Sequence, residues 1–383
     1  MGKSKAAKAE AIQRPVIKWT GGKAAEIPAL RPFLPKKIDT FIDPFVGGGA
    51  LLYNIKADRY CINDIDRDLM TFYIMTWKTP LWTQFKQMVQ TIDEARAVIR
   101  AASFRKTIPS SQEFIQTGMA ALNTLNPSLF CPVANGSLLG EYEKRIAFIE
   151  KRDTMDRPQD YIRTGLFSVL YNSIRSAMNT EILAGRYNTK RLVAWFFLRD
   201  MAYSSMQRTS KNGAFNVPYG GASYNNRLFS TKLDKFASYR KGMTTKTFDV
   251  QCRDFVDFLH YARDRYGDDR RNFIFLDPPY DTAFSSYSSG QKFMPERYQE
   301  LLSFLLTTKM RFMMVLKETP LMRDLFYNQK GWYYRYIEKT YRVNIKNRNN
   351  RSARHVIITN YRKPISAGED ATMQDALAES GAL

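Results

Sequence analysis

Residues 275–284, FLDPPYDTAF, carry side chains from which a binding site could be built. The apolar run 273–276 is typical of a strand buried on both faces of a parallel sheet. The two prolines that follow lack amide donors and force an extended backbone, so the strand must end there. Asp277 is therefore expected at the carboxyl end of a central strand, where open α/β sheets bind ligands. Its carboxylate, the carbonyl of Pro278 and the ring of Tyr280 would offer acceptors and a stacking face.

The elements that must position this stretch alternate at both ends of the chain. Near the N-terminus, the pattern predicts a strand at 40–43, a glycine loop at 44–49, a helix at 50–57 and a strand at 59–62. This is one βαβ unit of the doubly wound kind. Near the C-terminus, strands are predicted in TKTFDVQC, FIFL and RFMMVLKE, and helices in FVDFLHYARDR and PERYQELLSFLLTT. An antiparallel pair flanking a basic loop is predicted in WYYRYIEKTYRVNIK and RHVIITNYR. The fold class is therefore α/β.

Residues 81–187 have a different character, with long stretches at helical spacing that predict an inserted helical subdomain. An apolar helix, RLVAWFFLRDMAY, leads into SSMQRTSKNGAFNVPYGG, where Asn212 and Gly213 predict the turn of a hairpin. The expected division is a basic tail (1–14), a first catalytic half (15–80), an insertion (81–225), a second catalytic half (226–364) and an acidic tail (365–383).

The glycines of FVGGG place bare backbone between a predicted strand and a predicted helix, where a ligand could approach closely. Asp64 ends the next strand, and an acid at this position can hydrogen-bond a ribose diol. The diphosphate signature GxGxxG is absent. The pattern therefore favours a nucleoside cofactor without a pyrophosphate, such as S-adenosylmethionine, although a purely structural turn is the alternative.

With such a cofactor, the acceptors after the strand could serve an exocyclic amine. The amine of adenine is a poor nucleophile because its lone pair is delocalised into the ring. Asp277 and the carbonyl of Pro278 could accept hydrogen bonds from both N–H groups of this amine and so favour a pyramidal nitrogen. Tyr280 could stack on the base. The base would have to leave the duplex to reach them. Positioning and electrostatics would do the rest, so this scheme requires no metal.

The composition indicates the class of binding partner and argues against sites built from histidine or cysteine. A net charge of +21, with 14% aromatic residues, suggests a nucleic acid. Two histidines and three widely spaced cysteines argue against a Ser-His-Asp site, a zinc site and a disulfide framework. No apolar run has membrane-spanning length and the N-terminus lacks a signal-peptide core. We expect a cytoplasmic protein, prokaryotic or viral, that is a monomer or weak dimer and has no membrane partner.

The motifs, taken in order, resemble the alpha-class, Dam-like N6-adenine DNA methyltransferases. KWTGGK (18–23) looks like that family's N-terminal cofactor motif, FIDPFVGGGALLYN like its glycine motif, and INDID like its second-strand acid. FLRDMAYSSMQRTSKNGAFNVPYG (197–220) is similar to the recognition hairpin, and FIFLDPPY to the catalytic tetrapeptide. The resemblance implies a Rossmann-like S-adenosylmethionine-dependent methyltransferase sheet with an inserted helical and β-hairpin target-recognition domain, acting on double-stranded DNA.

The resemblance also implies roles for individual residues. The catalytic residues would be Asp277, Pro278 and Tyr280. S-adenosylmethionine would be held by Trp19, Lys23, Asp43, Phe45, Gly47, Gly49, Asp64 and Asp277. DNA would be contacted by Met206, Arg208, Asn216, Pro218, Arg348 and Arg351; the arginine of the hairpin fits bidentate recognition of guanine, and the last two belong to a basic loop expected to bind phosphates. A target in which guanine precedes adenine, such as GATC, is suggested.

Two alternatives remain. The first is methylation of another planar amine, cytosine N4 or RNA adenine, but families of those types favour Ser or Asn where this chain has Asp277. The second is an inactive DNA-binding homologue on the same scaffold. That interpretation predicts eroded cofactor motifs, whereas the lysine, the glycines, the acid and DPPY are all present.

Overall fold

The computed structural model describes residues 11–362 except 20, 78, 103–107, 130–134, 153–154, 207, 244–245, 280–292 and 341–351. The chain forms two compact units. The first comprises Met1–Arg14, Lys23–Ile65 and Lys246–Leu383, and the second comprises Pro15–Gly22 and Asp66–Thr245. The predicted insertion bounds, 81 and 225, lie inside the second unit, and the functional division of the chain stays a prediction.

The described part of the first unit contains a seven-stranded sheet. Its strands are β1 (Thr40–Asp43), β2 (Arg59–Asn63), β3 (Thr247–Gln251), β4 (Phe273–Leu276), β5 (Arg311–Lys317), β6 (Tyr333–Thr340) and β7 (Ser352–Thr359). Their order is β3-β2-β1-β4-β5-β7-β6. The first five are parallel, and β7 pairs antiparallel to both β5 and β6. The predicted Rossmann-like α/β class is confirmed.

The described residues also form eleven α-helices. They are α1 (Ile27–Leu30), α2 (Arg67–Trp77), α3 (Thr79–Ala101), α4 (Ser111–Asn123), α5 (Asn135–Glu150), α6 (Pro158–Leu183), α7 (Thr189–Met201), α8 (Ser230–Met243), α9 (Phe255–Tyr266), α10 (Pro295–Thr307) and α11 (Pro320–Phe326). The first and the last three belong to the first unit, and α2–α8 to the second. None of the helices within the described residues is long and apolar enough to cross a membrane.

Strands β1 and β4 lie side by side where the strand order reverses, with Phe41 opposite Phe273 and Ile42 opposite Ile274. Every residue of both strands is buried, as the apolar pattern predicts. Side chains of α9, α10 and α11 complete this core on the sheet. Because the connections leave β1 and β4 in opposite directions, the carboxyl ends of these strands border the crevice in which open α/β sheets bind ligands.

The helix predicted over 50–57 is wrong. Leu52–Asn54 forms a single 3-10 turn, and Ile55 already has extended backbone angles, φ −119° and ψ 146°. The side chain of Asn54 donates to the carbonyl of Ala50 at 2.7 Å, a carbonyl that an α-helix would bond to the Asn54 amide. This local competition limits the segment to one turn. The periodic apolar residues Leu51, Leu52 and Ile55 are nonetheless buried, which is why the pattern resembled a helix.

The second unit is helical, as predicted, and its core is aromatic. Phe72 of α2 stacks on Phe196 of α7 with ring centroids 5.7 Å apart and planes inclined by 5°. Phe85 of α3 contacts both rings edge to face. Phe236 of α8 lies against Phe72 at 5.4 Å. Burial of such large side chains supplies most of the free energy that holds these four helices together.

The connection between α6 and α7 is fastened by one acid. The carboxylate of Glu181 accepts hydrogen bonds from Arg186 at 2.7 Å and from the Asn188 side chain at 2.8 Å, and Lys190 lies 3.1 Å away. Asn188 in turn caps α7 by accepting from the Arg191 amide. The hydrogen bond from Arg186, the largest cause, with those from Lys190 and Asn188, lowers the pKa of Glu181 from 4.5 to about 2.

This pKa predicts an acid-sensitive contribution to stability. A carboxyl whose pKa is depressed in the folded state stabilises that state above pH 4.5 and loses its effect as the pH falls towards 2. We expect Glu181→Gln to lower the melting temperature by about 2–4 °C at neutral pH and by less near pH 2.5. Thermal unfolding across this pH range, with Glu143→Gln on the exposed face of α5 as control, measures the difference. Equal losses at both pH values would contradict the assignment.

Candidate active site and nucleic-acid interface

Asp277 follows β4 directly, and its carboxylate is paired with a buried lysine. Lys23 Nζ lies 2.5 Å from Asp277 Oδ1. Lys23 is 2% exposed, whereas the side chain of Asp277 retains one-fifth of its accessible surface. A buried ammonium is stable only with close acceptors, so the pair holds both side chains in defined positions. The two residues are 254 positions apart in the chain, and sequence reasoning assigned them separately.

A second carboxyl group ends the neighbouring strand. Asp43 is 2% exposed and accepts a hydrogen bond from the Phe45 amide at 3.1 Å. Burial raises the pKa of Asp43 well above its usual value; the Phe45 amide opposes this rise, and the charges of Asp277 and Asp64 add to it. Asp43 thus holds its proton more tightly than an exposed carboxyl group does, and the neighbouring Asp277 is paired with Lys23.

The glycine loop is fastened to the end of β2. The Gly47 amide donates to Asp64 Oδ2 at 3.1 Å, and the Val46 amide donates to the Asn63 carbonyl at 2.9 Å. Gly47 and Gly49 have φ of 48° and 76°, a region that glycine enters without strain. Since a single 3-10 turn follows, the loop does not open an α-helix, and the expected helix N-terminus is wrong. The role predicted for this loop in binding the cofactor stays a prediction.

A buried pair behind the lysine fixes the turn that carries it. Lys23 opens the 3-10 turn Lys23–Ala25, and its carbonyl accepts from the Glu26 amide at 2.8 Å. Glu26 Oε2 lies 3.0 Å from Nδ1 of His355 on β7, and both side chains are buried. The turn is thus attached to the sheet itself. Sequence reasoning did not single out Glu26.

The remaining residues predicted for this site lie in different surroundings, and one of them is not described by the structure. The Phe45 ring packs on Phe255 of α9 at 5.2 Å and on Phe293 at 6.0 Å, so it belongs to an aromatic cluster. Pro278 is buried. Tyr280 lies outside the described residues. Trp19 belongs to the second unit, where the guanidinium of Arg199 stacks 3.8 Å above its ring and donates to the Lys18 carbonyl at 3.0 Å.

The predicted hairpin of the second unit is present as two antiparallel bridges, Ala202 with Tyr219 and Thr209 with Phe215. Between these bridges, the Tyr203 amide donates to the Pro218 carbonyl, and the Asn216 amide to the Arg208 carbonyl, both at 3.0 Å. The turn falls at the predicted position, with Gly213 at φ 85°. The short ladder holds the two arms in register across the turn.

One arm of the hairpin is anchored to α6 by residues that sequence reasoning missed. Asn179 exchanges two hydrogen bonds with the Phe215 backbone, at 2.8 and 3.0 Å. Tyr171 and Arg175 donate to the carbonyl of Val217 at 2.8 and 3.1 Å. These three side chains recur every four residues on one helical face. Polar groups at that spacing within an apolar helix were the signal that could have identified them.

In the arm of the hairpin that α6 anchors, residues 215–218, buried residues alternate with more exposed ones. Phe215 and Val217 are buried, whereas Pro218 is exposed and Asn216 is half-buried. On the other arm Met206 and Arg208 are exposed. Arg208 donates to the Asn216 side chain at 2.8 Å and to its carbonyl at 3.2 Å, so the two residues predicted to contact DNA are joined across the hairpin. Arg348 and Arg351 lie outside the described residues.

The edge of the sheet therefore carries three carboxyl groups, one buried ammonium and a buried glycine loop whose Gly47 amide is held by Asp64. The described residues contain no group of three His, Cys, Asp or Glu side chains arranged to hold a metal ion. The acceptors suit a ligand rich in N–H donors or positive charge. Together with the strand order, these features define an α/β methyltransferase-type fold with its polar site at the switch point.

Comparison with known proteins identifies the family. The profile of the D12 class N6 adenine-specific DNA methyltransferases matches residues 19–345. The chain belongs to this family, and it is an adenine-specific DNA methyltransferase.

Its relatives include proteins from bacteria, an archaeon and viruses. Type II methyltransferase M.CviBI of Paramecium bursaria Chlorella virus NC1A is 24% identical over 356 residues, which span 91% of this chain and 100% of the relative. Type II methyltransferase M1.LlaDCHI of Lactococcus lactis is 21% identical over 355 residues, spanning 91% and 95%. A DNA adenine methylase of Haemophilus influenzae is 35% identical over 71 residues, 18% of this chain and 25% of the relative.

Proposed function

We propose that this chain transfers the methyl group of S-adenosylmethionine to N6 of an adenine flipped out of a short, specific duplex sequence. The observation that carries the proposal is the placement of Asp277 at the carboxyl end of β4, paired with the buried Lys23. The enzyme would act as a monomer or weak dimer on DNA in the cytoplasm of its host.

The first unit offers a donor and acceptor set that fits the cofactor. Asp64 follows β2 and receives the Gly47 amide at Oδ2, and an acid in this position can hydrogen-bond a ribose diol. Gly47 and Gly49 have no side chains that would cover the loop backbone, and their positive φ angles favour glycine at both positions. Asp43 and Asp277 add acceptors for an amino group. When bound, S-adenosylmethionine supplies an activated methyl group on a positively charged sulfur.

The residues after β4 would then act on the target amine. The carboxylate of Asp277 and the carbonyl of Pro278 would each accept a hydrogen bond from one of the two N–H groups of the adenine amine. These hydrogen bonds draw the nitrogen lone pair out of conjugation with the ring and direct it towards the methyl group. Lys23 orients the carboxylate through its hydrogen bond to Oδ1 while the site is empty of substrate. Tyr280 is proposed to stack on the flipped base.

The hairpin is proposed to read the bases next to the target adenine. We expect Arg208→Ala to reduce discrimination against a substituted guanine by about 1–3 kcal/mol, since a bidentate arginine contact would be lost. Binding to unrelated duplexes should change little. Competition binding with single-base variants of the target measures this. Lys211→Ala, at the exposed turn of the same hairpin, is the matched control and should weaken all sequences alike. An unchanged base preference in Arg208→Ala would remove this residue from recognition.

The direct test is to incubate plasmid DNA with the protein and S-adenosylmethionine and to map modified bases by single-molecule sequencing. Methyladenine confined to one short motif is the expected result. Modification of cytosine, or of RNA in a parallel assay with unmodified DNA, would replace the proposed substrate. Cofactor binding measured by calorimetry, without modification of any nucleic acid, would favour an inactive DNA-binding homologue.

A further inference from the structure

Tyr298 of α10 reaches the catalytic tetrapeptide from outside it. Its hydroxyl donates a hydrogen bond to the carbonyl oxygen of Pro279. Tyr298 is 1% exposed, and the bond is buried. A hydroxyl and a carbonyl that share a site without water contribute strongly to defining the position of the backbone.

The two prolines make this contact unusually important for the local backbone. Pro278 and Pro279 have no amide hydrogen, so between Asp277 and residue 280 the chain can be held by hydrogen bonds only through its carbonyls. The proposed function uses one of these, at Pro278, for the target amine. Tyr298 takes the next one, at Pro279. Of the two carbonyls, that of Pro278 is left for the substrate and that of Pro279 is bound by Tyr298.

The ring that carries this hydroxyl is itself held in place. Phe293 packs edge-on against Tyr298 with centroids 4.7 Å apart, and Phe326 of α11 lies at 6.4 Å. Phe293 also contacts Phe45 of the glycine loop and Phe255 of α9, at 6.0 and 5.3 Å. Aromatic rings of α9 and α11, together with Phe293, therefore hold the Tyr298 ring in place. Its hydroxyl in turn holds the Pro279 carbonyl.

We propose that Tyr298 is a positioning residue for methyl transfer. By anchoring the Pro279 carbonyl, it sets the orientation of the preceding peptide groups and hence the direction of the Pro278 carbonyl and the Asp277 carboxylate. The inference rests on the proposed function. Small displacements of groups that orient a nucleophile are costly for rate but not for binding of a remote ligand. The effect should therefore fall on the transfer step.

The test is Tyr298→Phe, which keeps the ring and removes only the hydroxyl. We expect a 10- to 100-fold lower kcat and single-turnover rate, about the size seen for misplaced catalytic groups. KM and Kd for duplex DNA should stay within about twofold of the unmodified protein, corresponding to less than about half a kcal/mol.

Tyr361→Phe is the matched control. Tyr361 is also buried in the first unit, and its hydroxyl donates to the Phe33 carbonyl at 2.8 Å. It packs on Phe273, the first residue of β4, at the end of that strand remote from Asp277. This variant loses an equivalent hydrogen bond and should show a similar fall in melting temperature with unchanged kcat.

The outcomes are distinct. A loss of kcat confined to Tyr298→Phe, with folding intact by circular dichroism, supports the proposal. Unchanged kcat, or a loss shared by Tyr361→Phe, overturns it and leaves the proposed function standing. Absence of methyl transfer by the unmodified protein would instead reject the proposed function, and this inference with it.

Discussion

Replacing Asp277 with alanine is expected to lower the rate of methyl transfer about a thousandfold or more, because the group that polarises the target amine is lost. Single-turnover methylation of a duplex with the mapped motif measures the rate. Affinity for unmodified duplex DNA should change little, since basic side chains that neutralise phosphates dominate such affinity and Asp277 is an acid. Transfer at more than about a tenth of the normal rate would contradict the assigned role.

The same replacement should destabilise the protein, because Lys23 remains buried without the carboxylate that lies 2.5 Å from its ammonium. Breaking a buried ion pair by removing one partner costs about 3–5 kcal/mol. This structural effect must be separated from catalysis. Asp277→Asn keeps the shape of the side chain and one acceptor oxygen but removes the charge, so it should retain more stability while remaining strongly impaired.

A double variant separates the two effects further. Lys23→Met in combination with Asp277→Ala removes both charges and should recover part of the unfolding free energy without recovering methyl transfer. Asp264→Ala, an exposed acid on α9, is the control that should leave both rate and stability unchanged. If the double variant regained activity as well as stability, the loss in Asp277→Ala would have been one of folding.

Replacing Arg96 with methionine is expected to lower the free energy of unfolding of the second unit by about 3–5 kcal/mol. Arg96 on α3 is completely buried. Its Nη2 donates to the carbonyls of Tyr224, Asn225 and Arg227 at 2.9, 3.0 and 2.9 Å. Methionine fills a similar volume but leaves these three carbonyls without their donor. Urea denaturation of the full chain, followed by tryptophan fluorescence, measures the change.

The surroundings of Arg96 explain why so large a side chain can be buried with its charge. Burial lowers the pKa of the guanidinium, while neighbouring Tyr219 and Asp93 oppose this. Its planar group lies over the rings of Phe167 and Phe229 at 5.2 and 5.7 Å, which favours a cation.

Asp93, one turn earlier on α3, accepts from the amides of residues 229 and 230. The two side chains together fasten the segment that follows the hairpin.

Two comparisons test the Arg96 prediction. Glu94→Met, on the exposed face of the same helix, controls for the change in helical propensity and should cost less than about 0.5 kcal/mol. Arg96→Lys keeps the charge but provides a single ammonium for three carbonyls, so an intermediate loss is expected. A loss in Arg96→Met no greater than in Glu94→Met would show that the carbonyls find other donors.

Part of the fold and of the candidate site was predictable because its causes are local in sequence. The strands β1 and β4 were predicted from apolar runs, and the end of β4 from two prolines that cannot continue a ladder. The turn at Gly213 followed from the preference of Asn-Gly for positive φ. The helix predicted over 50–57 failed for an equally local reason, since a side-chain hydrogen bond from Asn54 competes with the backbone.

By itself, then, the sequence determined the order of motifs, the positions of the acids after the parallel strands and the family of adenine methyltransferases. The tertiary structure alone decided which of these residues meet. Lys23 and Asp277 are joined across 254 positions, and α6 anchors the hairpin through Asn179. It also decided that burial raises the pKa of Asp43 and that the Tyr298 hydroxyl donates to the Pro279 carbonyl. The physical reason is that backbone preferences act between neighbours in the chain, whereas burial, pKa and hydrogen-bond partnership depend on which distant segments exclude water together.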